Sequence, residues 1–150
     1  MHSAPTTICA CARLRRASRA ITQLYDDALV PSGLRTTQFA VLRTLAAHES
    51  MTIGALASAM LLDRTALSRN LEPLASRGLV AITSGTDQRT RQLSLTPAGR
   101  EALSEAERRW ARAQRDVARR IGKPRLDQLY ALLGDIERLH PTFHASKGPK

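Results

Sequence analysis

The chain has 150 residues, enough for one domain with a modest core and too few for a second independent one. Its 23 lysines and arginines against 13 acidic residues give a formal charge of +10, and every cation but Lys123, Lys147 and Lys150 is arginine, so its natural partners are polyanions, double-stranded nucleic acid first. The lack of an 18-residue apolar run, two close-set cysteines and 3% aromatics without basic interleaving argue against a membrane span, a disulfide framework and a base-stacking platform for single strands.

The opening MHSAPTTICACARLRR places its charges after its apolar part, the reverse of a signal peptide, and the expectation is a cytoplasmic protein without a membrane partner. Apolar residues at Leu14, Ala17, Ile21, Leu24 and Ala28 predict a first helix over 8–30, with Thr6-Thr7 as caps and Pro31-Ser32-Gly33 as its end. Thr36 is the expected cap of a second helix, which buries Phe39, Val41, Leu42 and Leu45 and runs to about Glu49. Thr52 caps a third, Ile53 to Met60, with Leu56 and Ala57 inward. Asp63 caps a fourth, whose Leu67, Leu71 and Leu74 share one face and which stops at the basic turn and glycine of Arg77-Gly78.

Next come GLVAIT (78–83), which alternates apolar residues at Leu79, Ala81 (weakly) and Ile82-Thr83, and a run carrying Leu93 and Leu95. The two predict a hairpin around the basic tip GTDQRTR, which bears Asp87, Arg89 and Arg91. Thr96-Pro97 reads as an N-cap with proline in the first helical position. It opens a long helix to about Ile121, with Leu103, Ala106, Trp110, Ala113, Val117 and Ile121 inward. Pro124 opens a last helix with Leu126, Leu129, Leu132, Leu133, Ile136 and Leu139, and the tail after Pro141 is polar. The predicted fold is mainly α with a small β-hairpin, and it shows no internal repeat.

Only Leu61-Leu62 separates the third and fourth helices, the layout of a helix-turn-helix, with Ala57 as the small residue at the crossing and Leu67 as the later buried position. With its leucines turned inward, the fourth helix must point Arg64, Thr65, Ser68, Arg69 and Glu72 outward. Arginines there can read guanine edges from the major groove. A helix-turn-helix followed by a basic two-stranded ribbon is a winged helix, whose tip reaches the neighbouring backbone or minor groove. Pro73, inside the recognition helix, removes the hydrogen bond to the Arg69 carbonyl and predicts a bend beyond the outward-facing half.

In LLDRTALSRNLEPLASRGLV (61–80), in the wing core Asp87-Gln88-Arg89 and in LSLTPAGR (93–100), the sequence resembles the MarR-type transcriptional regulators, with the same helical order over roughly 10–140. The resemblance implies a winged helix-turn-helix lobe at about 36–97. It also implies N- and C-terminal dimerisation helices at about 10–35 and 98–140, and an obligate homodimer on a pseudo-palindromic double-stranded DNA operator; the overall reading is a ligand- or redox-responsive homodimeric repressor. Within it Ser68 and Arg69 match positions that contact bases and phosphates, Arg89 matches the wing arginine, and Asp87 the acidic residue that steadies the wing through a salt bridge. It further implies a small aromatic or anionic effector between the dimer helices and the DNA-binding lobe, where Tyr25, Phe39 and Trp110 are candidate lining residues.

Other readings stay open beside this one. Cys9 and Cys11, at the start of the first helix, are either redox-active thiols or small buried apolar residues; on a helix they diverge by about 200°, which favours a bond between subunits over an internal one. Arg108, Arg112, Arg115 and Arg119 form a stripe that is either a solvated face paired with Glu101, Glu105 and Asp116, or a surface for DNA backbone or an acidic effector. A winged helix that docks an acidic protein partner is the rival from another functional class. No phosphate loop, His-Glu-x-x-His or nucleophile elbow is present, so the reading is not an enzyme, with no metal site and no cofactor.

Overall fold

The computed structural model describes residues 8–87 and 89–142; Thr6 and Thr7, Gln88 and the tail from residue 143 lie outside the described residues. The elements run α1 (Ala10–Leu29), α2 (Thr36–Ala46), β1 (Met51–Thr52), α3 (Ile53–Ala59), α4 (Arg64–Ser76), β2 (Val80–Ser84), β3 (Arg91–Leu95), α5 (Pro97–Ile121) and α6 (Lys123–Glu137). The fold is therefore mainly α with a β-hairpin wing, as the periodicity predicts. β1 is an addition: it pairs antiparallel with β3, Met51 opposite Leu93, and makes a sheet of order β1-β3-β2. That pairing draws the chain away from α2 at Ala46, before the expected Glu49.

One apolar cluster holds the winged lobe together. Leu42, Leu45 and Val41 of α2 meet Leu56 of α3, Leu67 and Leu74 of α4 and Leu93 of β3, all under 2% exposed. Each such leucine contributes roughly 2 kcal/mol through burial. α1 and α5 pack together, with Leu29, Leu103 and Ala106 joining that cluster.

The termini follow local chemistry at most positions. The side chains of Thr52, Asp63 and Thr96 accept backbone N–H bonds from Ala55, Ala66 and Gly99 at 3.0, 2.7 and 2.9 Å. Gly33, at φ +71°, follows a single 3-10 turn at Val30–Ser32 and closes the end of the first helix, and Gly78 at φ +70° closes α4.

At Thr36 the expectation fails. Arg35 occupies the cap, Thr36 is the first helical residue, and its N–H donates to Asp26 Oδ1 of α1 at 2.7 Å. A carboxylate from a neighbouring helix takes the place of the local hydroxyl. The strand alternation differs too: Leu79 and Val80 are both buried, and Ala81 is only partly so. Leu79 lies ahead of β2 under the start of α5, where its carbonyl accepts from Thr96 N–H at 3.2 Å, so it answers to the helix and not to the pleat.

On α5, Leu103, Ala106, Ala113 and Val117 are buried as expected, while Trp110 and Ile121 are half-buried. α6 buries only Leu126, leaving Leu129, Leu132, Ile136 and the following Leu139 at 39–77% exposure. Among the described residues no helix is long and apolar enough to cross a membrane.

Candidate nucleic-acid interface

The crossing of α3 and α4 is made at Leu61, whose φ is +51°. The N–H of Leu62 reaches back to the Ala57 carbonyl at 2.9 Å, and that of Leu61 to Ser58 at 3.2 Å, so the chain leaves α3 through a left-handed residue and reaches Asp63, the cap of α4, two positions later. Glycine suits that geometry best. Leucine stands there instead, with its side chain half-buried.

With Leu67, Leu71 and Leu74 inward, Arg64, Thr65, Ser68, Arg69 and Glu72 are all exposed on one side of α4. Ser68 Oγ donates to the Arg64 carbonyl at 2.8 Å, which fixes its rotamer and leaves its lone pairs outward. Pro73 does not interrupt α4, which is continuous from Arg64 to Ser76, and Arg77 N–H still reaches the Pro73 carbonyl at 3.1 Å.

The wing places Arg89 and Arg91 in solvent. Its tip is fastened by Gly85 N–H to the Thr90 carbonyl at 2.6 Å and by Thr90 N–H to the Asp87 carbonyl at 2.8 Å. Asp87 makes no salt bridge among the described residues; its Oδ1 accepts the Arg89 N–H at 3.1 Å. The carboxylate thus shapes the turn through the backbone, and the Arg89 guanidinium is left to point outward.

The aromatic residues split into two groups. Phe39, 3% exposed, stacks on Trp110 at 6.1 Å, and the Arg43 guanidinium lies over the Trp110 ring at 4.3 Å. Sequence reading passed over Arg43, although its place one turn after Phe39 on an exposed edge is the signal for such stacking. Tyr25, on α1, meets α5 one turn beyond Trp110, where its hydroxyl donates to Gln114, whose amide donates to Tyr130 at 2.6 Å. Burial, then the neighbouring Tyr130, pushes the Tyr25 phenol up and keeps it a donor.

Cys9 is the N-cap of α1 and Cys11 lies in its first turn, and both are exposed, so neither is packed as a small apolar residue within the chain. The arginine stripe is divided: Arg108 and Arg109 pair with Glu105, and Arg119 with Asp116, while Glu101 makes none of these pairs.

The sequence pattern that defines the MarR family matches residues 32–90, the stretch that carries this helix-turn-helix, β2 and the wing tip. The Mycobacterium tuberculosis transcriptional regulator MosR, solved in complex with DNA, is 39% identical over 88% of this chain and 98% of its own, with a TM-score of 0.77. The chain belongs to the MarR family. It is a winged-helix transcriptional regulator that binds DNA. Two other MarR-like structures are similar at 27% identity. A Rhodococcus sp. RHA1 transcriptional regulator of the family covers 82% of this chain and 88% of its own at a TM-score of 0.74. The transcriptional repressor CouR, bound to a 23-mer DNA duplex, covers 87% and 93% at 0.80.

Proposed function

We propose that this MarR-family regulator is a homodimeric repressor that lays two copies of α4 into successive major grooves of an inverted-repeat operator, with the wings on the flanking minor grooves. The observation that carries the reading is the exposed row Arg64, Thr65, Ser68 and Arg69 on α4, beside the solvent-facing Arg89 and Arg91 of the same lobe. Glu72 at the far end of the row repels phosphate and limits the reading segment to its first half. MosR and CouR were both solved with DNA, which supports the same use of the lobe here.

Dimerisation is supported by apolar surface on α6 and on the N-terminal half of α1, where a groove of about 630 Å³ is lined by Ala10, Leu14, Ala17, Ala20 and Ile136 with Arg13 and Arg16 at its rim. A second copy supplies the apolar cover. The helices at 10–35 and 98–140 then form the dimer layer and 36–97 the DNA-binding lobe, with Phe39, Trp110 and Tyr25 at the junction where a small aromatic or anionic effector would act.

Arg69→Ala tests the α4 assignment. Titrated against its preferred duplex and a scrambled one, the variant is expected to lose about 1–3 kcal/mol of affinity or discrimination. Unchanged affinity for both duplexes would remove Arg69 from the interface.

The exposure of Cys9 and Cys11 at the positive end of α1 favours a second, redox-linked reading, in which peroxide oxidises two thiols to a disulfide between subunits and is itself reduced to water. Non-reducing gels are then expected to show a peroxide-dependent dimer with altered duplex affinity. A persistent monomer band with unchanged DNA binding would end the idea.

A further inference from the structure

The cations of α5 do not all have the same surroundings. Arg108, Arg109 and Arg119 pair with carboxylates of their own helix, whereas Arg112 and Arg115 have no ion-pair partner among the described residues. Those two open onto a groove of about 560 Å³ at the α5–α6 corner, lined by Arg112, Arg115, Asp116, Ala118, Arg119 and Lys123. A second groove of about 300 Å³ shares Arg112 and Asp116 and adds Arg109 and Arg120 over the apolar floor of Leu24, Ala28 and Ala113. Six cations line the two grooves; Arg109 is paired with Glu105, Arg119 with Asp116 and Lys123 with Asp127, which leaves Arg112, Arg115 and Arg120 without an ion-pair partner among the described residues.

Like charges gathered this closely repel one another, and the repulsion is relieved by a multiply charged anion that takes several guanidinium hydrogen bonds at once. Position sets these arginines apart from the operator face. At about 1.5 Å per residue, the segment from Arg112 to Lys123 lies on the order of 25–40 Å along α5 from Thr96, where the helix leaves the wing. A duplex seated on α4 and the wing leaves this corner free. We propose that the α5–α6 corner is a binding site for a small oligophosphate-bearing anion, distinct from the DNA-binding face and from the Phe39–Trp110 aromatic pair. The grooves fit such a ligand: Arg112 and Arg115 take the phosphates, Arg120 flanks them, and the Leu24–Ala28 floor receives an attached apolar group.

Calorimetric titration of inorganic tripolyphosphate into the full chain at physiological salt tests this without reference to DNA. Saturable binding is expected, weakened about tenfold or more in Arg112→Gln/Arg115→Gln and left unchanged in the charge-matched Arg35→Gln/Arg100→Gln. The single Arg115→Gln variant serves if the double variant does not fold. Absence of binding, as would follow if a partner subunit covers the corner, would overturn the proposal, and so would equal weakening by both double variants. Loss of duplex affinity in Arg112→Gln/Arg115→Gln equal to its loss of anion affinity would also overturn it and give the corner to DNA backbone. Failure of the DNA-binding reading shows separately, in duplex titrations of Arg69→Ala.

Discussion

Gly99 sits where the first turn of α5 crosses the end of α4's exit loop, and a Cβ built on it would lie 2.0 Å from the Leu79 carbonyl oxygen and 2.8 Å from Leu95 Cδ1. Both obstacles are tied down. The Leu79 oxygen is held by Thr96 N–H, and Thr96 Oγ donates to the Gly78 carbonyl at 2.6 Å while capping Gly99. Gly99→Ala is therefore expected to destabilise the protein by about 2–3 kcal/mol, measured by urea denaturation. Leu61 carries the opposite lesson. Because its φ of +51° suits glycine, Leu61→Gly is expected to be more stable than Leu61→Ala by about 1 kcal/mol in the same assay, the reverse of their order within a helix. Greater stability of the alanine variant would mean that the turn relaxes out of the left-handed region.

At the scale of elements, what local sequence encodes was legible and what neighbours impose was not. Thr52, Asp63 and Thr96 cap α3, α4 and α5 because each side chain reaches an N–H only three residues on. Thr36 looked equivalent and is not, since Asp26 arrives from α1, ten residues earlier, and no local pattern announces that contact. β1 was invisible for the same reason: two residues carry no alternation, and only β3 makes Met51 and Thr52 a strand. On the candidate interface, the outward face of α4 followed from its leucine spacing. The part of Asp87 did not follow, because a carboxylate two residues from an arginine serves equally as an ion pair or as an acceptor for that arginine's own N–H. The second is found, at 3.1 Å. An arginine freed in this way points to a wing whose contribution is a phosphate contact. Arg89→Ala is accordingly expected to weaken duplex binding about equally across sequences and to lower the slope of log affinity against log salt by about 1. An unaltered slope would take Arg89 off the backbone.

For the whole molecule, the +10 charge is distributed over surfaces with different work to do. Arginines on α4 and the wing are exposed, the paired and unpaired arginines of α5 line another surface, and α1 and α6 carry exposed apolar residues. Charge alone attracts any polyanion. Sequence selectivity requires two α4 helices held at a fixed separation, which only an assembled dimer supplies. Selection of duplex DNA from a random pool by the reduced full chain at physiological salt, with sequencing of the retained duplexes, tests that claim most directly. The account predicts enrichment of one inverted repeat whose half-sites lie about 10 bp apart, centre to centre. Retention of duplexes without any enriched sequence would contradict it and leave a basic winged helix that docks on acidic partners.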